Sequence, residues 1–277
     1  MNSGADSEQR EGRLGLTLPS YAARYGLTAL AVAAAILAAA LSTGGHASVD
    51  TVQQLYEALI GRSVSWNPPF MSALLQRFGV GATGGAGLAM AVFVAVVCLG
   101  FWGAIILAAH ASGKANSRVS LIAWLVSVAL CLNPMLLIYA GIVWKDVLFA
   151  ALLAFVVALM LCAGALKRAA GRTIIIFLAA ALIGVLPLVR QQGYVLAPAL
   201  ALILGVLLIW SPQASRRMRG VLVLASLCIA AGTYFAAAAW TQTVIAGNDG
   251  RAARVGFQLI TQFDLLGIEA RGGHVLS

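Results

Sequence analysis

Seven long stretches without a single charged side chain decide what this chain can become. One of them runs from Val147 to Leu166 and another from Val119 to Trp144. Of the 277 residues 61% are hydrophobic and 10% are charged, where a soluble domain carries about 25% charged residues. So much apolar surface does not fit inside one aqueous core, and the bilayer is the natural solvent. The runs are continuous, whereas outer-membrane strands alternate polar and apolar residues. They are also rich in Ala and Leu, which favour helix. The expected fold is an all-α integral membrane protein.

Taken in order, residues 1–25 form a polar cytoplasmic lead, and residues 26–240 a transmembrane domain of about seven helices. Residues 241–277 form an outer tail, with a surface helix expected over 255–266. The spans are expected at 26–42, from 84 or 85 to 110, at 119–140 with a kink at Pro134, and at 147–166, 173–189, 195–210 and 221–239. The first outer loop, 43–83, holds two surface helices. Val49, Val52, Leu55, Leu59 and Ile60 have the spacing of an amphipathic helix, and Phe70 to Phe78 forms the second after the Pro68-Pro69 break.

Loop charges orient the chain. Eleven basic residues (Arg10, Arg13, Arg24, Lys114, Arg118, Lys167, Arg168, Arg172, Arg216, Arg217 and Arg219) fall in one set of loops. Only Arg62, Arg77, Lys145 and Arg190 fall in the opposite set between spans. By the positive-inside bias the N-terminus is cytoplasmic. The net charge of +9 is thereby explained, and no basic stripe with interleaved aromatics points to nucleic acid. Beyond the lead, every acidic residue lies on the outer side and none lies mid-span, unlike the midplane groups of ion-coupled carriers. Cys98, Cys131, Cys162 and Cys228 all lie in apolar runs as small fillers. His46, His110 and His274 have no metal-binding spacing.

Four polar clusters on the outer side carry the chemistry. Asp50 with Gln53 and Gln54 reads as a general base or a metal ligand beside orienting amides, or as an N-cap aspartate opening a surface helix. Trp66-Asn67-Pro68-Pro69 reads as a rigid turn presenting Asn67, or as a loop breaker with an interfacial Trp. Lys145-Asp146 reads as a lipid-phosphate grip steadied by the carboxylate, or as a snorkelling Lys and a dipole-favoured Asp. Arg190-Gln191-Gln192-Gly193 reads as a guanidinium fork, suited to phosphate oxygens and placed where the charge bias disfavours it, or as an interfacial Arg in a turn closed by Gly193. There is no phosphate-cradling Gly-rich loop, GxSxG or HExxH.

In their order, Asp50-Thr51-Val52-Gln53-Gln54, Asn67-Pro68-Pro69-Phe70, Trp144-Lys145-Asp146-Val147-Leu148-Phe149-Ala150 and Leu188-Val189-Arg190-Gln191-Gln192-Gly193 resemble the GT-C class of membrane glycosyltransferases. These are the polyprenyl-phosphate-sugar-dependent enzymes of the protein O-mannosyltransferase-like superfamily. The chain has Asn67 where that class often has His, and Gln192 where it often has Asn. The resemblance implies a multi-pass enzyme of a bacterial inner membrane and a lipid-linked sugar donor. The acceptor would be a glycan, a lipid or a protein. Asp50 would be the base or, if a divalent metal takes part, its ligand; no cofactor is otherwise implied. Gln53, Gln54, Asn67, Lys145, Asp146, Arg190 and Gln192 would bind substrate. Such enzymes are longer, so the chain is expected to be their N-terminal portion. A transporter or lipid flippase, and an inactive truncated membrane protein, remain the alternatives.

Overall fold

The computed structural model describes residues 21–42, 46–65, 67–78, 85–112, 117–166, 168–209 and 215–248. Most of the lead, most of the outer tail and the helix expected over 255–266 lie outside the described residues. The chain passes through α1 (Tyr21–Leu41), β1 (His46–Ala47), α2 (Val49–Ile60), β2 (Arg62–Ser63), α3 (Phe70–Phe78), α4 (Gly85–Ser112) and α5 (Ser117–Cys131). It continues with α6 (Pro134–Tyr139), β3 (Ile142–Val143), α7 (Lys145–Ala165), α8 (Ala169–Val189), α9 (Gly193–Ile209), α10 (Arg216–Val244) and β4 (Ala246–Asn248). The fold is all-α. Among the described residues, four helices are long and apolar enough to cross a membrane: Leu88–Ser112, Lys145–Ala165, Ala169–Val189 and Arg216–Val244. Tyr25–Leu41, Leu121–Cys131 and Gly193–Ile209 are apolar but shorter.

The segment expected as one kinked helix over 119–140 is instead two helices, α5 and α6. Pro134 has no N–H to continue the ladder and stands in the first turn of α6. The Asn133 side chain accepts from the Met135 N–H at 2.9 Å and caps a new start. At the other end, α10 runs five residues past the expected Ala239, which brings Thr241 and Gln242 into its last turn.

α7 lies at the centre, packed between α4 and α8. α4 also carries α1 and α5, and α8 carries α9 and α10. Helices in lipid gain little from apolar contact alone and associate through close backbone approach. A Cβ on Gly100 would come within 2.9 Å of the Ala151 Cβ, and one on Gly184 would overlap the Ala230 carbonyl. Gly184→Ala is therefore expected to wedge α10 off α8. Overpacking of this kind costs about 1–3 kcal/mol, and a lowered unfolding temperature in detergent is the measurement that checks it.

α2 is amphipathic, but its apolar side faces outward. Val49, Val52, Leu59 and Ile60 are exposed, while Thr51, Gln54, Glu57 and Ala58 are buried. A helix lying at a membrane surface would have this arrangement, its greasy stripe turned to lipid and its polar stripe to protein. α3 lies beneath α2 and also touches α4, α8 and α10. Two short parallel pairings, β1 with β3 and β2 with β4, tie these loop segments to the ends of the long helices.

Candidate functional site

The β1–β3 pairing sets the geometry. His46 stands opposite Ile142 and Ala47 opposite Val143, so the chain on either side runs on in parallel into α2 and into α7. The Thr51 hydroxyl donates to the Val143 carbonyl and fastens the first turn of α2 to this strand. Ser48, not Asp50, caps α2, its hydroxyl accepting from the Thr51 N–H at 3.2 Å. Asp50, the second residue of α2, lies in its first turn and reaches sideways. Its Oδ2 accepts from the Lys145 ammonium at 2.5 Å, across 95 positions of sequence.

Lys145 is buried and also donates to Asn67 Oδ1 at 2.6 Å. Asn67 is only 4% exposed, yet its Nδ2 has no partner. Glu57 holds the loop that carries Asn67. One carboxylate oxygen accepts from the Val64 N–H at 2.9 Å and the Ser65 N–H at 2.6 Å, and the other accepts from the Ser72 hydroxyl at 2.6 Å. The Asn67 N–H in turn donates to the Ser65 hydroxyl at 3.3 Å.

A second ion pair lies alongside. Arg190, the residue that ends α8, meets Asp146 Oδ1 at 2.5 Å and donates through Nε to Gln192 Oε1 at 2.7 Å. Asp146 sits in the first turn of α7, where the helix dipole favours its charge. The Gly193 N–H donates to the Arg190 carbonyl at 2.9 Å and closes the turn into α9. The turn is tight: a Cβ on Gly193 would overlap the Leu186 carbonyl. Gly193→Ala is expected to displace Arg190 and weaken its hold on Asp146. A crosslinking yield between cysteines placed at 146 and 190 would fall in that variant.

Two carboxylates and two cations thus converge at one end of the bundle. The pairing is crossed relative to expectation. Lys145 is held by Asp50 rather than by its neighbour Asp146, and Asp146 serves Arg190. Partial burial works to raise the Asp50 pKa. The hydrogen bond and charge of Lys145 outweigh it, with help from the Trp144 indole and the Arg190 charge, and hold the carboxyl below the usual aspartate value. A depressed folded pKa gives stability that is fully present above the unfolded value of about 3.9 and is lost as pH falls through the folded value. The stability difference between the native protein and Asp50→Asn is therefore expected to stay constant from pH 7 to about pH 4 and to close only below it.

Beside the pairs lies a cavity of about 340 Å³. Ser65, Asn67, Pro68, Pro69 and Phe70 form one wall, Pro187, Leu188, Gln191 and Tyr194 a second, and Tyr234, Ala238, Thr241 and Gln242 of α10 a third. The Tyr194 and Tyr234 hydroxyls meet at 3.3 Å, and Phe70 stands edge-on to Trp240 with ring centres 6.0 Å apart. Gln191, Tyr194, Tyr234, Thr241 and Gln242 did not stand out as binding residues in the sequence. Their one signal is that Tyr234, Ala238 and Thr241 recur at helical spacing along an otherwise apolar run.

The structure brings Asp50, Asn67, Lys145, Asp146, Arg190 and Gln192 together. The other two amides behave differently. Gln53 is exposed, and Gln54 is 0% exposed with both amide atoms unpartnered and no place in the cavity wall. Trp66 lies outside the described residues. The side chains do not fit a divalent cation site. Asp50 and Asp146 are each bound to a cationic side chain, and among the described residues no three His, Cys, Asp or Glu side chains cluster to hold a metal. No known protein family, curated protein or solved structure matches the chain.

Proposed function

We propose that the protein is a seven-span glycosyltransferase of a bacterial inner membrane. It moves a sugar from a polyprenyl-phosphate donor to an acceptor hydroxyl at the outer face. The observation that carries this reading is the meeting of Asp50–Lys145 and Asp146–Arg190 beside a polar, aromatic-walled cavity at one end of an apolar bundle. The order of Asp50, Asn67-Pro68-Pro69, Lys145-Asp146 and Arg190 along the chain, which resembles the GT-C class, supports it.

The two pairs divide the work. Lys145 is buried and engaged by Asp50 and Asn67, so it fixes the carboxylate in place and keeps it ionised. Arg190 is the more accessible cation, its side chain 33% exposed against 7% for Lys145. It exchanges Asp146 for the donor phosphate, whose oxygens suit its fork. The acceptor hydroxyl then attacks the anomeric carbon with inversion. A new carbon–oxygen bond forms as the bond to the phosphate oxygen breaks, and Asp50 takes the hydroxyl proton. The polyprenyl phosphate leaves with the bonding pair, and Arg190 offsets the charge that grows on it in the transition state.

The test is sugar transfer in proteoliposomes from a radiolabelled polyprenyl-phosphate hexose. Transfer that disappears in Asp50→Asn supports the reading. Movement of the labelled lipid between leaflets without transfer would replace it with a flippase. Arg190→Ala is expected to raise the KM for the lipid donor at least tenfold, because it removes the phosphate's accessible cation. An unchanged KM would remove Arg190 from the donor site.

A further inference from the structure

Resting on the reading above, the wall of the cavity says what kind of sugar it takes. Among the described residues its lining holds no Asp, Glu, Lys, Arg or His. Of the two cations alongside, Lys145 is bonded to Asn67 and paired with Asp50, and Arg190 is paired with Asp146. The polar groups that face the space are neutral. The amides of Gln191 and Gln242 carry both donors and acceptors, Asn67 brings its Nδ2 donor while its Oδ1 accepts from Lys145, and the Thr241 hydroxyl donates to the Ala237 carbonyl at 2.8 Å and keeps its oxygen free to accept. The Asn67 Nδ2 is a buried donor with no acceptor in the protein, and leaving such a group unpaired is costly unless a ligand supplies the acceptor. Tyr194 and Tyr234 add aromatic surface with polar tips.

We propose that this cavity holds a single uncharged sugar ring of the lipid-linked donor, and that its neutral wall rejects amino sugars and uronic acids. At about 340 Å³ it is near the lower end of ligand pockets, which begin at about 300 Å³, so it suits one ring rather than an oligosaccharide. A ring presents hydroxyls that donate and accept in turn, which matches amides. An ammonium or carboxylate on the part of the ring that rests against this wall would meet no charged side chain in the lining, at the cost of desolvating an unpaired ion.

The experiment measures binding to the full chain in nanodiscs by its tryptophan fluorescence, with four lipids of one polyprenyl length. These are the bare polyprenyl phosphate and its hexose, aminohexose and hexuronate conjugates. The hexose conjugate is expected to bind at least tenfold tighter than the bare lipid, and the two charged conjugates no tighter than the bare lipid. Gln242→Leu is expected to bring the hexose-to-bare affinity ratio close to one. Gln242→Glu, which adds a carboxylate to the wall, is expected to put the aminohexose conjugate first. Bare lipid that binds as well as the hexose conjugate, or a charged conjugate that binds best to the native protein, overturns the neutral-sugar site and leaves the lipid-phosphate site standing. An unchanged order in Gln242→Glu also overturns it. If none of the four lipids binds, the proposed function fails and this inference falls with it.

Discussion

Asp50→Asn is expected to lower the rate of sugar transfer by about 10²–10⁴-fold, the usual worth of a positioned general base, while the KM for the lipid donor stays near its native value. The asparagine matches the shape of the carboxylate and still offers an oxygen to the Lys145 ammonium. What it loses is the capacity to take a proton from the acceptor. The two constants separate because the donor phosphate is held by Arg190, whose own pair to Asp146 is untouched by the change. A second consequence is structural. Lys145 is buried, and the change takes away the Asp50 carboxylate that pairs with its charge, the condition that makes breaking a buried pair costlier than never having built one. Asp50→Asn/Lys145→Met removes both charges together. It is expected to recover stability relative to Asp50→Asn alone without recovering transfer. Steady-state kinetics with varied donor and thermal unfolding of the same preparations check both halves. Full activity in Asp50→Asn would remove Asp50 from the chemistry.

Glu57→Ala is expected to have the largest effect on stability of any single change in the first loop. The Glu57 carboxylate is fully buried and satisfies three donors: the Val64 and Ser65 N–H groups and the Ser72 hydroxyl. Removing it orphans all of them at about 1–3 kcal/mol each, against a total stability of about 5–15 kcal/mol for a typical protein. The loop from Val64 to Asn67 would loosen, and Asn67 would drift from Lys145. Glu57→Gln keeps one oxygen for the two backbone donors, and the Ser72 hydroxyl is able to turn and accept from the new amide, so a milder loss is expected. The unfolding temperature and the hydrogen-exchange rates of Val64 and Ser65 report the order Ala worse than Gln worse than native. Equal stability in all three would show that the loop does not depend on Glu57.

Glu57 also shows why part of the site was hidden. In the sequence it is one acidic residue in an amphipathic surface helix, and the bland expectation is a solvated face. Its role comes from donors 7, 8 and 15 positions away, and no periodicity announces that they will meet it. Asp50 was open to a capping reading for a similar reason. A capping aspartate and one that reaches across to another helix look alike until the partner is seen, and here Ser48 caps instead. The α2 stripe of Val49, Val52, Leu59 and Ile60 was legible as amphipathic, but not which side would meet protein. In a membrane protein the apolar side has lipid to turn to, so the usual rule of apolar residues inward fails. The break at Pro134 was visible as a perturbation. That it would become a fresh helix start depended on the Asn133 cap.

Hydropathy points to the bilayer as solvent and so to the helical class, because a backbone with no water to bond must bond to itself within each segment. That force acts along the chain and can be read along it. The meeting of Asp50 with Lys145, of Asp146 with Arg190, and of α10 with the loop that carries Asn67 rests on contacts between segments far apart in the chain. A two-residue strand pairing, a glycine-thin helix contact and a buried glutamate bring them about, and each acts only once the helices have packed.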